Sequence, residues 1–259
     1  MSQGKTLCFT GQRPKDLCPT APDKYSARPY KKFVNDLTLY LDDMYKAGYR
    51  NFISGGAQGF DQLAFWAVAK LKKAHPDVQN IAYLPFKGQE GAWVDDTGLF
   101  TPTNYRKMLK LADKVVWTSE HQGIQVDTQT GYGINRALDM RNHAMVDDSD
   151  IVVALYRDPR GVDMTKKSGS GTNNCMRYAM ERGVPIYQIV YDNDATGALA
   201  PRRDINVMIP EVPRAEKTIP MWMQPEQKTG RTMSDINAAY DGLQQPDEEQ
   251  FSTSYGVDF

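Results

Sequence analysis

Two runs of small residues in this sequence suit the binding of an anion. The first, SGGAQGFD at 54–61, joins a strand pattern to a helix pattern, and the second, SGSGT at 168–172, opens a later helix pattern. Glycine lets backbone N–H groups approach a phosphate closely, and the first turn of a helix adds the positive end of its dipole. The first run has neither the GxGxxG nor the Walker A spacing, so a tight strand-to-helix turn is the alternative for it. The residues that we expect to contact a ligand here are Ser54, Gly55, Gly56, Gln58, Gly59, Asp61, Ser168, Gly169, Ser170, Gly171 and Thr172.

Two arginines extend this candidate site. Thr10, Gly11 and Arg13 end the first strand pattern. There the threonine offers a hydroxyl, the glycine permits a sharp exit, and the arginine offers a forked cation that suits phosphate or carboxylate. Arg141 lies on the helix that leads into a later strand at 150–156, and from there it could reach the same ligand. For each arginine, a solvated side chain is the alternative.

Residues suited to catalysis are few. Arg141 and Asp61 are the candidates, the first to stabilise negative charge and the second to cap the helix, bind a ligand hydroxyl or move a proton. There is no GxSxG motif, and the three histidines have no metal-ligand spacing, so we expect neither a metal nor a cofactor. The three cysteines form no CxxC pair, which predicts free thiols in a reducing compartment.

Four aromatic residues near predicted strand ends could stack on a nucleotide base. Burial in the core is the commoner role for such side chains and is the alternative for each of them. The four residues are Phe86, Trp93, Trp117 and Tyr132.

Strand patterns alternate with helix patterns over the first 191 residues. Strands are predicted at 6–10, 51–54, 81–84, 114–118, 150–156 and 185–191, and helices at 30–46, 60–73, 104–112, 136–146 and 173–182. Such alternation predicts a parallel sheet with right-handed crossovers and helices on both faces. The run DIVVALY at 150–156 is almost continuously apolar, which is typical of a strand covered on both faces. Ligands of such sheets bind beyond the carboxyl ends of the strands, where the candidate loops fall.

The pattern dissolves after Tyr191. Residues 192–259 are rich in Pro, Gln, Asp, Thr and Ser, with one helical candidate at 234–243. We therefore predict a nucleotide-binding domain over 1–191 and an irregular, partly packed C-terminal extension over 192–259. The apolar island Ile219–Met223 is predicted to anchor the extension on the domain, with a partner contact as the alternative. The charged segment 157–167 is either a lid or a plain surface loop.

Bulk composition limits the range of partners. A formal net charge of −1 provides no field that attracts nucleic acid or an anionic membrane. The N-terminus lacks the apolar core of a signal peptide, and no apolar run approaches the ~20 residues that span a bilayer. We expect a cytoplasmic protein that has no membrane or nucleic-acid partner. The apolar surplus of 60–71 predicts a homodimer or a larger homo-oligomer.

Several of these motifs, in this order, resemble the SLOG superfamily and specifically its YpsA-like branch. The matching segments are CFTGQRP at 8–14, ISGGAQGFDQLA at 53–64, LPF with a later tryptophan at 84–93, RNHAMVDDSDIVVALY at 141–156 and SGSGTNNCMRYAMERGVPI at 168–186. The resemblance covers about residues 5–191 and implies a Rossmann-like fold with a nucleotide-type ligand between the two glycine loops. By position, the family's first loop corresponds to Gly55, Gly56, Gly59 and Asp61, its second loop to Gly169, Gly171 and Thr172, and its arginine before the strand to Arg141.

Members of this superfamily differ in activity, and the sequence departs from one of them. Relatives include DNA-processing DprA proteins, lysine-decarboxylase-like phosphoribohydrolases, and sensors of cyclic ADP-ribose-type signals in antiphage defence. The phosphoribohydrolase motif PGGxGTxxE carries an acid after the threonine, whereas Asn173, Asn174 and Cys175 follow Thr172 here. Without that carboxylate, acid–base help in breaking an N-glycosidic bond is compromised.

Three hypotheses follow. The leading one is a protein that senses or sequesters a nucleotide-derived ligand, such as an ADP-ribose-type signal of phage defence. The second is a nucleotide N-glycosidase that uses Arg141 with Asp61 or Asp147. The third, DprA-like DNA binding, is disfavoured by the near-zero net charge.

Overall fold

A computed structural model of the chain describes residues 4–93, 98–165 and 170–224. Seven strands form one sheet. They are β1 Lys5–Gly11, β2 Tyr49–Ser54, β3 Gln79–Leu84, β4 Lys114–Trp117, β5 Ile151–Leu155, β6 Ile186–Asn193 and β7 Leu199–Met208. Their order across the sheet is β4-β3-β2-β1-β5-β6-β7, and all neighbours are parallel except β6 and β7. The predicted Rossmann-like α/β fold is therefore confirmed.

Helices connect the strands and cover both faces of the sheet. They are α1 Pro14–Leu17, α2 Lys31–Lys46, α3 Phe60–Ala74, α4 Pro102–Leu111, α5 Thr118–His121, α6 Gly131–Asp147 and α7 Gly171–Glu181. Short 3-10 helices lie at Arg28–Tyr30, Gln89–Ala92 and Met221–Met223. No helix in the described part of the chain is long and apolar enough to cross a membrane.

The strand order reverses at the centre of the sheet. From β1 the chain builds β2, β3 and β4 outward on one side, and then returns to place β5 on the other side of β1. All five residues of β5 are buried, as expected for a strand covered on both faces. Connections that diverge in this way leave a crevice at the carboxyl ends of the two central strands, β1 and β5.

Helix α3 is buried inside the chain on most of its surface. It packs against α2, against the sheet and against α4, and its buried side chains include Phe60, Phe65, Val68 and Leu71. The apolar surplus of 60–71, from which the sequence predicts self-association, is therefore used within one chain. A homo-oligomer stays a prediction, but α3 does not supply a surface for it.

Strand β7 lies in a segment that the sequence pattern leaves irregular. A turn at Asp194–Gly197 reverses the chain: the Asp194 carboxylate accepts hydrogen bonds from the Thr196 and Ala198 N–H groups, and Gly197 adopts a φ of 80°. β7 then pairs antiparallel with β6. The arginines and Pro201 of this segment are atypical of a strand in the middle of a sheet, so the sequence does not show a strand pattern. A strand at the edge of a sheet tolerates such charges and proline.

The described C-terminal residues are fastened to the domain. The 3-10 turn Met221–Met223 packs Met221 and Trp222 against the core. The Met221 N–H donates to Asp148 Oδ2 at 2.9 Å, and the Trp222 N–H donates to the Tyr83 hydroxyl at 3.2 Å. Tyr83 in turn donates to Asp148 at 2.5 Å, and burial raises the pKa of Asp148. The helical candidate at 234–243 lies outside the described residues.

Tyr83→Phe should loosen this anchor and leave the sheet intact. The change removes a buried hydroxyl that joins Asp148 to the Trp222 N–H, and it should cost about 1–3 kcal/mol of unfolding free energy. Hydrogen exchange at the Met221 and Trp222 amides should accelerate, while exchange in β5 stays slow. Tyr187→Phe, in β6, is the matched control. Unchanged exchange at both amides would show that this hydroxyl does not hold the turn.

Candidate functional site

A cleft of about 590 Å³ lies at the carboxyl ends of β1 and β5, where the strand order reverses. Its size falls within the range of sites for small molecules. Four parts of the chain form the walls: the loop after β1, the start of α3, one side of α6 and the first turn of α7. The lining residues are Thr10, Gly11, Gln12, Arg13, Lys15, Asp16, Ala57, Asp61, Asn135, Leu138, Asp139, Arg141, Asn142, Ser170, Gly171, Thr172 and Asn174.

A buried ion pair lies in the floor of the cleft. Arg141 of α6 donates from Nη1 to Asp61 Oδ2 of α3 at 2.8 Å, and both side chains are less than a tenth exposed. The same carboxylate oxygen accepts from the Ala57 N–H at 3.4 Å. Arg141 Nε has no hydrogen-bond partner within the described residues. The pair therefore joins α6 to the loop between β2 and α3, and leaves one donor of the arginine unused.

The glycines of the loop between β2 and α3 serve packing. A Cβ at Gly55 would lie 1.2 Å from Arg141 Nη1, so only glycine lets the arginine cross the loop. Gly59 has a φ of 100°, and a Cβ there would lie 2.4 Å from the Gln12 carbonyl oxygen. That oxygen accepts from the Phe60 N–H at 3.2 Å, the first N–H of α3. Two N–H groups of this predicted anion-binding segment, those of Phe60 and Ala57, are thus satisfied inside the protein.

The structure separates the predicted ligand-binding residues into three groups. Those that line the cleft are Thr10, Gly11, Arg13, Asp61, Arg141, Ser170, Gly171 and Thr172. Those that do not are Ser54, Gly55, Gly56, Gln58 and Gly59. The remaining two, Ser168 and Gly169, lie outside the described residues. The second predicted loop therefore reaches the cleft through its last three residues, and the first reaches it only through Asp61.

The first turn of α7 is the part of the cleft best suited to an anion. Ser170 is the N-cap, and its hydroxyl accepts from the Asn173 N–H at 3.4 Å. The N–H groups of Gly171 and Thr172 have no partner within the described residues, because the first N–H groups of a helix lack an intrahelical acceptor. Gly171 has open space where a side chain would stand. This turn thus offers the N–H groups and the helix dipole that the start of α3 does not.

The loop that carries Arg13 is held on both sides of this residue by contacts from Tyr191 of β6 and from Arg157, which follows β5. The Tyr191 hydroxyl donates to Gln12 Oε1, the residue before Arg13. Arg157 stacks on the Tyr191 ring and donates to the Asp16 carbonyl oxygen at 3.2 Å, the third residue after Arg13. Burial lowers the pKa of the Arg13 guanidinium; Asp61 raises it and Arg141 lowers it. The loop is therefore fixed at both ends around its arginine.

Charges in the cleft balance. Three cations line it, Arg13, Lys15 and Arg141, together with three carboxylates, Asp16, Asp61 and Asp139. Because Asp61 is paired with Arg141, the cleft presents two further cations and two further carboxylates to a ligand. Such a mixture suits a ligand that combines an anionic group with hydroxyls, since carboxylates repel phosphate but accept from hydroxyls.

The position of the absent acid is filled by a buried thiol. Cys175 lies in the core, and burial raises the pKa of its thiol to about 12, while a hydrogen bond with Thr10 lowers it. It is therefore protonated at neutral pH and is no nucleophile. Asn173 is turned away to the loop before α7, where its side chain accepts from the Asp163 N–H and donates to the Asp163 carbonyl oxygen. Asn174 does line the cleft.

Asp147, the other predicted acid, does not line the cleft. Its carboxylate accepts from Arg182 Nε at 2.9 Å and from the Tyr178 hydroxyl at 3.0 Å. Among the described residues, no group of three His, Cys, Asp or Glu side chains could hold a metal ion.

The loop after β5 is anchored over its described part. Gln188 of β6 donates to the carbonyl oxygens of Tyr156 and Asp158 at 3.0 and 2.7 Å. Asn206 of β7 donates to the Pro159 carbonyl oxygen at 3.3 Å. These contacts favour a surface loop over a lid for the segment up to Pro159.

Of the wall formed by α6, the sequence pattern indicates only Arg141 as a ligand-binding residue. Asn135, Leu138, Asp139 and Asn142 of α6 line the cleft beside Arg141. Their spacing of three and four residues places them on one side of the helix. That periodicity is visible in the sequence, but polar side chains at helical spacing usually indicate a solvated face.

Asp61→Ala should destabilise the protein strongly. The change leaves the Arg141 guanidinium buried without its partner, which should cost about 3–5 kcal/mol of unfolding free energy in urea titrations. Asp61→Leu combined with Arg141→Met should recover most of that loss. Asp36→Ala, which breaks an exposed pair with Lys32, should cost about 1 kcal/mol or less. Equal losses for Asp61→Ala and Asp36→Ala would contradict a structural role for the pair.

Gly55→Ala should destabilise the protein through Arg141. Its methyl group would overlap Arg141 Nη1, and overpacking of this kind costs about 1–3 kcal/mol. The loss should shrink when Arg141 is replaced by Met, because the shorter side chain makes room for the methyl group. Gly91→Ala, at a site with open space, is the control. A loss that is the same in both backgrounds would refute the coupling between Gly55 and Arg141.

Comparison with known proteins identifies the family of the chain. The sequence profile of the YspA SLOG family matches residues 7–194, which confirms the resemblance to its YpsA-like branch. The chain is also 37% identical over 150 residues to YoqJ, an uncharacterized SPbeta prophage-derived protein of Bacillus subtilis strain 168; the alignment covers 57% of this chain and 80% of that protein. Membership of the SLOG family suggests nucleotide-related binding or glycosidase activity. The chain belongs to the YspA SLOG family.

Proposed function

We propose that this protein binds a nucleotide-derived ligand, of the ADP-ribose type, in the cleft at the carboxyl ends of β1 and β5. A phosphate of the ligand lies at the first turn of α7 and pairs with Arg13. The observation that carries the proposal is the joint presence, in one cleft, of the Gly171 and Thr172 N–H groups and the Arg13 guanidinium. N–H groups at a helix start and a forked cation together form a strong phosphate site.

The carboxylates of the cleft support a ligand that also carries a sugar. Asp16 and Asp139 lie in its walls, and a carboxylate only accepts hydrogen bonds, which suits ribose hydroxyls. Arg141 Nε and Asn174 Oδ1 are buried without partners in the described residues. Buried polar atoms without partners are costly, so a ligand that reaches them gains affinity.

Recognition fits the site better than hydrolysis of an N-glycosidic bond. The position of the acid in the phosphoribohydrolase motif is occupied here by Cys175, whose thiol is buried and protonated. Asp61 is engaged by Arg141 and Ala57, and Asp147 is engaged by Arg182 and Tyr178 outside the cleft. A general acid must reach the leaving group, and neither of these two predicted acids is free to do so. Asp16 and Asp139 line the cleft, but neither occupies the position of the acid in the phosphoribohydrolase motif. A protein that binds without turnover is therefore the proposed function.

Calorimetry with AMP, ADP, NAD, ADP-ribose and cyclic ADP-ribose tests this proposal. At least one of them should bind to the full-length protein with one site per chain. Chromatography of the solution in the calorimeter after each titration should recover the ligand intact. Release of free base would make the protein an N-glycosidase, and no binding by any compound at high protein concentration would overturn the proposal.

Arg13→Ala should weaken binding and spare the fold. Loss of a hydrogen bond between a guanidinium and a phosphate should lower the affinity for the tightest compound of the panel about tenfold to hundredfold. The urea midpoint should change little, because within the described residues the Arg13 guanidinium makes one long hydrogen bond, to the Gln58 carbonyl oxygen at 3.5 Å. Arg28→Ala removes an exposed arginine outside the cleft and should leave the affinity unchanged. Equal affinities for the Arg13→Ala variant and wild type would place the phosphate elsewhere.

A further inference from the structure

Of the four aromatic residues considered as stacking partners for a base, the fold uses two for packing. Trp93 packs edge-on against the Tyr105 ring at 5.1 Å, and Trp117 packs on the cluster that contains Tyr105 and Met108. Phe86 is half-buried beyond the end of β3. Tyr132 is different, because it is 79% exposed, more than any other large hydrophobic side chain in the described residues.

The position of Tyr132 relates it to the cleft. It lies in the first turn of α6, three residues before Asn135 and seven before Asp139, both of which line the cleft. Residues at this spacing lie on the same side of a helix, and the Tyr132 Cα stands about 4.5 Å further along the axis than that of Asn135. Because α6 ends just before β5 begins, its first turn lies at the end of the sheet where the cleft opens. Tyr132 is not a lining residue, and helix geometry places it one turn beyond Asn135, the first lining residue of α6. We refer to this position as the rim of the cleft.

The chemistry of this rim suits a flat aromatic group. A tyrosine ring in water offers a large π face, and leaving it exposed forgoes the free energy that burial would give. The walls nearest to it are polar, with Asn135 exposed on the same side of α6. Stacking on an aromatic ring is worth far more to a nucleotide base than to a sugar or a phosphate.

We propose that the Tyr132 ring stacks on the base of the bound nucleotide and so determines that the ligand carries one. This inference rests on the proposed function, because it places the base of the same ligand whose phosphate lies at α7. Phosphate and sugar are held deep in the cleft, and the base extends to the rim. Since stacking does not read base edges, the site accepts different bases and prefers the larger purines.

The test compares two ligands that differ only in the base. Calorimetry measures AMP and ribose 5-phosphate on the wild type, Tyr132→Ala and Tyr132→Phe. Tyr132→Ala should weaken AMP binding about tenfold and leave ribose 5-phosphate binding unchanged. Tyr132→Phe keeps the ring and should bind AMP like the wild type. Tyr25→Ala, which removes a tyrosine that is 47% exposed and does not line the cleft, should have no effect on either ligand.

The outcomes separate the inference from the proposed function. Unchanged AMP affinity in Tyr132→Ala, or an equal loss for both ligands, overturns the role of the ring while the nucleotide site stands. Wild-type protein that binds ribose 5-phosphate as tightly as AMP also overturns it, because the base then makes no contact. If the wild type binds neither compound, the Tyr132 variants are compared with the tightest compound of the calorimetric panel, and an unchanged affinity in Tyr132→Ala overturns the role of the ring. Binding of no compound in that panel contradicts the nucleotide site itself, and this inference with it.

Discussion

The ion pair between Asp61 and Arg141 is the constraint on which the candidate site depends. It joins α3 to α6 across the loop that follows β2, and it passes over Gly55 because no side chain stands there. Removing charges from water is costly, so the pair is stable only while both partners and their hydrogen bonds are in place. Through Gly59 and Phe60 the same loop is bound to Gln12, next to Arg13. The ion pair and the hydrogen bond between Phe60 and Gln12 thus link three walls of the cleft.

This arrangement changes the role of the glycine-rich loops. Both were expected to hold an anion, but the N–H groups of Ala57 and Phe60 are used by Asp61 and Gln12. At α7 the first N–H groups have no such partner in the described residues, so the two helix starts are not equivalent. Glycine runs look alike in a sequence, because packing against an arginine and close approach to a phosphate both require the absence of a side chain.

Other features were predictable to different degrees. The parallel sheet followed from strand and helix patterns, since β5 is a continuous apolar run and the main helices carry apolar side chains at helical spacing. Strand β7 was not predicted, because its charges and Pro201 are tolerated only in an edge strand. The local sequence pattern does not show which strand lies at the edge of the sheet. Asp139 and Asn142 were not predicted as site residues either, because a polar helix face has the same sequence pattern whether it faces solvent or lines a cleft. In both cases the structure depends on contacts between segments that are far apart in the sequence, and local sequence patterns do not show such contacts.

Location of the phosphate tests the central claim most directly. A crystal structure of the full-length protein with ADP-ribose should show a ligand phosphate within hydrogen-bond distance of the Gly171 or Thr172 N–H and of the Arg13 guanidinium. A phosphate bound at the loop after β2, or ligand density in the groove of about 380 Å³ between α2 and β7, would contradict the account. In the first case the glycines of that loop would bind the ligand after all, and in the second the cleft between β1 and β5 would not be the site.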